Sequence, residues 1–387
     1  MKCFPSFRVI LLTLSILVVP GALQSCDSDP GAADDGSAAL QSSGQSKKDA
    51  RGNAAGGDDI SNSRRNAITR AVETVSPAVV GVNVTELRRR AVHPFWRMFG
   101  YGDQMYETQT AGSGFIISDD GYIVSNDHVV GRAERISVTM TDGTKHDAEL
   151  IGTDPVTDVA LIKIDVDDDL PYLVLGNSDD VIVGEWSIAF GNPFGLFSAS
   201  AKPTVTVGVI SATSIYLEGS EGRVYRNMVQ TDAAINHGNS GGPLVNGEGK
   251  VIGINTVIYT PNEGNIGLGF AVPINRARMI IEQLRDEGEV NRNFNPGFRV
   301  QPVNEAIAQA YDLEKIEGVI VTQITDPGGV AAESGLEVAD IILEADGEPV
   351  FSVTVLQSMI RYAVTGETIP LKILRNNTIR NIDLTLE

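Results

Sequence analysis

Short apolar runs rich in Val, Ile and Thr recur through the middle of this chain, with glycine-containing turns between them and almost no helical periodicity. They fall at 79–84, 114–117, 122–125, 136–140, 159–164, 186–190, 205–211, 228–230, 243–245 and 251–257. Asp119-Asp120-Gly121 separates the second from the third, and Thr141-Asp142-Gly143 follows the fourth. Strands at this spacing without alternating helices pair antiparallel, as barrels or a sandwich. Forty glycines suit so many turns. A short helix over 68–75 precedes the first run, and a longer one over 274–287 ends at Gly288. After a polar join at 290–296 the pattern changes. A strand (319–324), a helical run up to Ser334-Gly335-Leu336, a strand (341–345), a helix (355–363) and two closing strands make a smaller α+β unit. The expected division is therefore a β-rich unit over 67–289 and an α+β unit over 297–387.

The first residues read as an export signal. Lys2 and Arg8 form a basic front, and 9–20 is an apolar or neutral run too short to span a bilayer. The segment ends in Leu23-Gln24-Ser25-Cys26, which resembles the lipobox of bacterial lipoproteins, with Gln24 where a small or apolar residue is usual. A plain secretory signal with an incidental cysteine is the alternative. The only other cysteine, Cys3, lies inside the signal over 1–25, so the processed chain keeps no disulfide pair. An unpartnered exported cysteine is best explained as an acylation point. Residues 26–66 hold Asp, Gly, Ala, Ser and Gln without hydrophobic periodicity, the composition of a flexible tether. The expected location is periplasmic, anchored to a membrane through a lipidated Cys26.

A net charge of −20 excludes a nucleic-acid partner, because nothing here could neutralise a run of phosphates. No metal-ligand cluster, phosphate-binding loop or redox motif stands out, so no metal and no cofactor is expected.

Three motifs point to acyl transfer. In Gly238-Asn239-Ser240-Gly241-Gly242-Pro243 a serine sits between glycines, where backbone can approach a substrate closely. The N–H groups of Gly238 and Ser240 can converge there on an oxyanion. His128 lies just past the strand-like run 122–125, a place from which an imidazole base can face a cleft. His93 and His146 sit in polar, loop-like sequence and read as solvated; His237 adjoins the serine loop. Asp158 directly precedes an apolar strand and can be partly buried while orienting an imidazole. Asp154, before Pro155, is its rival but reads as a turn former. The order His, Asp, Ser, with the nucleophile last, is that of the chymotrypsin-like double barrel.

Gly112-Ser113-Gly114-Phe115-Ile116-Ile117, 121–130, 157–164, Gly191-Asn192-Pro193, 230–244 and 266–273 together resemble the HtrA/Deg family of trypsin-like serine proteases, and the C-terminal unit looks like that family's PDZ domain. His237 at a position where many members carry proline, one PDZ unit and an N-terminal anchor look most like the DegS-type branch, which cleaves membrane-bound regulators in stress signalling. The resemblance implies a mostly β fold, with a double-barrel protease domain ahead of a PDZ domain. Ser240 would be the nucleophile, His128 the proton shuttle and Asp158 the group holding the imidazole tautomer. The specificity pocket would be floored by Ala234, with Asn239 beside it, and walled by Ile266, Gly267 and Leu268. Without the aspartate that trypsin carries at that floor, small aliphatic residues are expected before the scissile bond. Thr213 is followed by Ser214-Ile215 where the branch has a Gly-Arg pair, leaving Arg223 and Arg226 as the nearest arginines. In the PDZ unit, Phe298, Arg299 and Val300 would bind a peptide C-terminus, with Arg299 at a usual glycine. Unfolded or membrane-bound proteins as substrates and a homotrimer complete what the resemblance implies. An idle chaperone on the same fold, or a pure peptide-binding module, are the competing readings.

Overall fold

The computed structural model describes residues 64–90, 104–192, 202–217, 219, 222–236, 238–258, 267–313 and 315–387. The expected signal, Cys26, the tether up to residue 63, His93, His237 and Ile266 lie outside the described residues. Among those described, no helix is long and apolar enough to cross a membrane.

A first helix, α1 (Ala67–Val75), starts at Asn66, whose side chain accepts from the Thr69 N–H at 3.0 Å. That bond satisfies one of the free amides of the first turn. The helix buries Ala71 and Val75. Six strands then close into a barrel: β1 (Val79–Arg90), β2 (Gln104–Ile116), β3 (Tyr122–Ser125), β4 (Arg135–Thr139), β5 (Lys145–Asp154) and β6 (Val159–Ile164), in spatial order 1-2-3-6-5-4. Both faces of these strands are covered, so Val80, Val82, Phe115, Ile123, Leu161 and Ile162 are all wholly buried.

A second six-stranded barrel repeats the plan with β7 (Trp186–Gly191), β8 (Thr204–Leu217), β9 (Tyr225–Thr231), β10 (Pro243–Val245), β11 (Val251–Ile258) and β12 (Gly269–Pro273), in order 10-11-12-9-8-7. The fold class expected from the strand spacing is thus realised as two closed barrels. A single-turn helix, α2 (Asp127–Val130), follows β3. The long helix α3 (Ile274–Glu287) packs across both barrels, against β5, β6, β11 and β12. It buries Ile274, Ala277, Ile280, Ile281 and Leu284, and Gly288 ends it in the left-handed conformation (φ 77°).

The C-terminal unit is a sheet of β13 (Phe298–Pro302), β14 (Val319–Ile324), β15 (Ile341–Ala345), β17 (Thr368–Arg375) and β18 (Thr378–Thr385), with β16 (Glu348–Pro349) paired to β15. Helices α4 (Glu305–Ala310), α5 (Val330–Glu333) and α6 (Val353–Tyr362) accompany it. Strand β13 and helix α4 were not anticipated, and Phe298, Arg299 and Val300 lie on that strand. Arg292, in the join, makes a bidentate pair with Asp154 at the end of β5 (2.6 and 2.8 Å). Arg276 of α3 pairs with Glu367 (2.9 Å) and lies over the Tyr362 ring, 4.1 Å from its centroid. Burial pushes the Tyr362 hydroxyl up to about 12.

Candidate active site

The site lies between the barrels. The turn after β3 swings the chain into α2, which presents His128 with its side chain one-third exposed. The turn joining β5 to β6 presents Asp158, whose side chain is fully buried. Asp158 takes a left-handed backbone (φ 62°), which few residues other than glycine, asparagine and aspartate adopt. The Asn126 amide donates to its carbonyl at 2.7 Å and holds that conformation. His128 Nδ1 lies 2.8 Å from Asp158 Oδ2 and 3.0 Å from Oδ1, and the His128 backbone N–H donates to Oδ1 at 3.0 Å.

A carboxylate only accepts, so this geometry places the imidazole proton on Nδ1 and leaves the Nε2 lone pair facing the cleft. Burial by itself would raise the Asp158 carboxyl. The hydrogen bonds and charge of His128, with the Thr256 hydroxyl, outweigh it and hold the group below its ordinary value.

Ser240 reaches the same cleft from the other barrel, on the turn before β10. Its hydroxyl donates to the Thr256 carbonyl at 3.3 Å, while the Thr256 hydroxyl donates to Asp158. Thr256, on β11, therefore touches both the serine and the aspartate, a role no motif announced. Ser113, within the 112–117 motif, braces the serine loop from the first barrel. Its N–H donates to the Ser240 carbonyl (2.9 Å), its hydroxyl donates to the Gly238 carbonyl (2.5 Å), and its own carbonyl accepts from Ser125 (2.8 Å). A methyl group at Gly241 (φ 84°) would sit 2.2 Å from that Ser113 carbonyl, so only glycine fits beside the serine. Gly238 is also left-handed (φ 95°). His128, Gly238 and Ser240 line one cleft of about 450 Å³, together with Asp127 and Arg223.

The expected pocket residues are partly gathered. Asn239 is buried and its side chain donates to the Ala234 carbonyl at 3.4 Å, with Thr206 donating to the same oxygen at 2.8 Å. Leu268 packs against the core and Gly267 is left-handed (φ 85°). Asp154 is a turn former, as expected: it accepts from the N–H groups of Val156 and Thr157, both at 3.2 Å. Among the described residues no group of three or more His, Cys, Asp or Glu gathers as for a metal ion.

Residues 112–254 match the trypsin-like peptidase domain, and residues 291–386 match the PDZ domain. A probable periplasmic serine endoprotease, described as DegP-like, from Halomonas elongata is 41% identical over 342 residues, covering 82% of this chain and 70% of the relative. The chain belongs to the DegP-like, HtrA family of serine endoproteases. A relative of the same description from Chlamydia muridarum is 44% identical over 278 residues, 71% of this chain. The chain spans 53% of that relative's length. Among solved structures, an HtrA-type protease, AlgW, with a tripeptide aligns with TM-score 0.61 at 34% identity, over 82% of this chain and 96% of that one.

In this HtrA chain the C-terminal unit carries its own groove, about 470 Å³, between β13 and α6. Phe298, Arg299 and Val300 line one side, and Leu356, Ile360 and Arg361 the other.

Proposed function

We propose that this protein is a periplasmic endopeptidase in which Ser240, His128 and Asp158 form the catalytic triad. The observation that carries the reading is the buried, multiply bonded Asp158 holding the His128 tautomer in the cleft that Ser240 enters from the opposite barrel. The Ser240 hydroxyl turns from the Thr256 carbonyl to His128 Nε2, loses its proton there and attacks the scissile carbonyl. The imidazolium then passes that proton to the leaving amine, while the N–H groups of Gly238 and Ser240 stabilise the oxyanion. Water repeats the sequence to release the acyl group. With Ala234 at the pocket floor beside Asn239, and Ile266, Gly267 and Leu268 as its wall, cutting follows small aliphatic residues.

The relatives are named periplasmic, which supports the same compartment here, with residues 1–25 as signal, lipidation at Cys26, and 26–66 as tether. Residues 67–289 are the protease unit and 297–387 the PDZ unit. Substrates are unfolded or membrane-bound envelope proteins, and the assembly is a homotrimer. The PDZ groove takes a peptide C-terminus by strand addition beside β13. Its occupancy regulates turnover, supported by the close approach of the groove-lining Arg361 to the β8–β9 loop, where a Cβ on Gly222 would lie 2.7 Å from Nη2. The Ser240 hydroxyl bonded to Thr256 favours a second reading, an idle chaperone. Reaction with a fluorophosphonate probe separates the two. Wild-type protein should label and digest reduced casein; folded Ser240→Ala should do neither, and casein digestion by that variant at an undiminished rate refutes the triad.

A further inference from the structure

We propose that Arg223 is a positioning residue of the reaction, bridging Asp127 and Asp158 so that the Asp158 carboxylate and the His128 imidazole stay aligned. The proposal rests on the triad reading above.

Arg223 lies on the loop between β8 and β9. Its Nε is 3.3 Å from Asp158 Oδ1 and its Nη2 is 3.1 Å from Asp127 Oδ2. The side chains of Arg223 and Asp127 are only 12% and 10% exposed, and that of Asp158 is fully buried. Two carboxylates in so dry a place repel each other. The guanidinium fork is the cation that lets both remain ionised beside one imidazole.

The bonds divide unequally between the two oxygens of Asp158. Oδ2 takes the Thr256 hydroxyl and the shorter of the contacts to His128 Nδ1. Oδ1 faces the His128 backbone N–H and Arg223. Arg223 thus closes the outer edge of the carboxylate and stops it rotating away from the ring. Its charge also offsets one of the two carboxylates beside His128, so removing it leaves the ring next to two uncompensated anions. The other charged groups facing this cleft are Glu86 and Arg88 on β1, joined at 3.0 Å, and Arg132 after α2. On β9, burial raises the Tyr225 hydroxyl far above its ordinary value, so it stays neutral.

A loop staple remote from the imidazole would not move a titration, and one acting by charge alone would be restored by lysine. The test is the pH dependence of kcat/KM on reduced, fluorescently labelled casein, with fluorophosphonate labelling rates in parallel. Arg223→Met and Arg223→Gln remove the charge. Each should move the acid limb upward by about one pH unit and lower kcat. Arg223→Lys keeps the charge without the fork, so its limb should stay near wild type while kcat falls severalfold. A neutral variant that folds and gives a profile superimposable on wild type overturns the proposal, and so does wild-type kcat in Arg223→Lys should neither neutral variant fold. A folded Ser240→Ala that still digests casein would instead overturn the triad beneath it, so the two failures are distinguishable.

Discussion

Asp158 holds a left-handed backbone, a fully buried carboxylate and bonds from four other residues at once. The backbone conformation and the burial of the charge are costly by themselves, and the bonds offset that cost and fix the residue. Asn126→Ala removes the amide on its carbonyl and leaves that oxygen buried without a partner, a loss of about 1–3 kcal/mol. The expected outcome is a lower urea midpoint and a kcat about tenfold lower at unchanged KM, since the proposed acid would drift while the pocket is untouched. The carboxyl itself makes a prediction about acid stability. Its folded value lies below the ordinary one. The stabilisation is therefore complete above the unfolded value and vanishes as pH falls through the folded one. Asp158→Asn forfeits it, so urea midpoints of the variant and wild type should differ most near neutral pH and converge in acid as pH falls through the folded value. Burial raises the neighbouring Asp127, and to a lesser degree so does the Asp158 charge; the variant loses that lesser part, which offsets some of the difference near neutral pH.

At the level of elements, the strands that were legible are those with a continuous apolar face, such as β3 and β6, and helix α3, whose bounds the apolar periodicity and Gly288 mark. Strand β5 was missed because Lys145, Asp147, Glu149 and Leu150 face solvent and only its far end is buried. Its membership of the barrel is imposed by pairing to β4 and β6 rather than by its own residues. Proposed site residues in compact motifs were legible for the same local reason. Thr256 was not, nor was the role of Ser113 within its motif, because a hydroxyl within a strand carries no mark of the partner that folding brings to it. Asp154 was half legible: its turn is local, whereas Arg292 comes from 138 positions away. Arg292→Ala would leave the Asp154 carboxylate buried without its cation. The expected cost is about 3–5 kcal/mol, measurable as a fall in Tm. Arg292→Lys should recover part of it, since lysine restores the charge but not the bidentate geometry.

Over the whole molecule, the PDZ unit is a structural neighbour of the barrels as well as a proposed regulator. Deleting residues 297–387 removes Glu367 and Tyr362 from the largely buried Arg276, and takes Val364 out of the cluster it shares with the barrel core. The truncated chain should melt at lower temperature and turn over casein at a changed rate. A peptide filling the groove of the intact chain should change the rate without lowering Tm, and equal rates with and without such peptides would dismiss PDZ control. Ser113 to Ser240 and Thr256 to Asp158 are bonds that run from one barrel to the other. Each barrel closes its own hydrogen-bonded wall and can keep its strands while those bonds slip, with α3 and the apolar cluster common to both barrels still in place. Warmed slowly, the protein should fall silent towards substrate several degrees before its circular dichroism changes, so that hydrolysis serves as a thermometer for the seam between two halves that are each still folded.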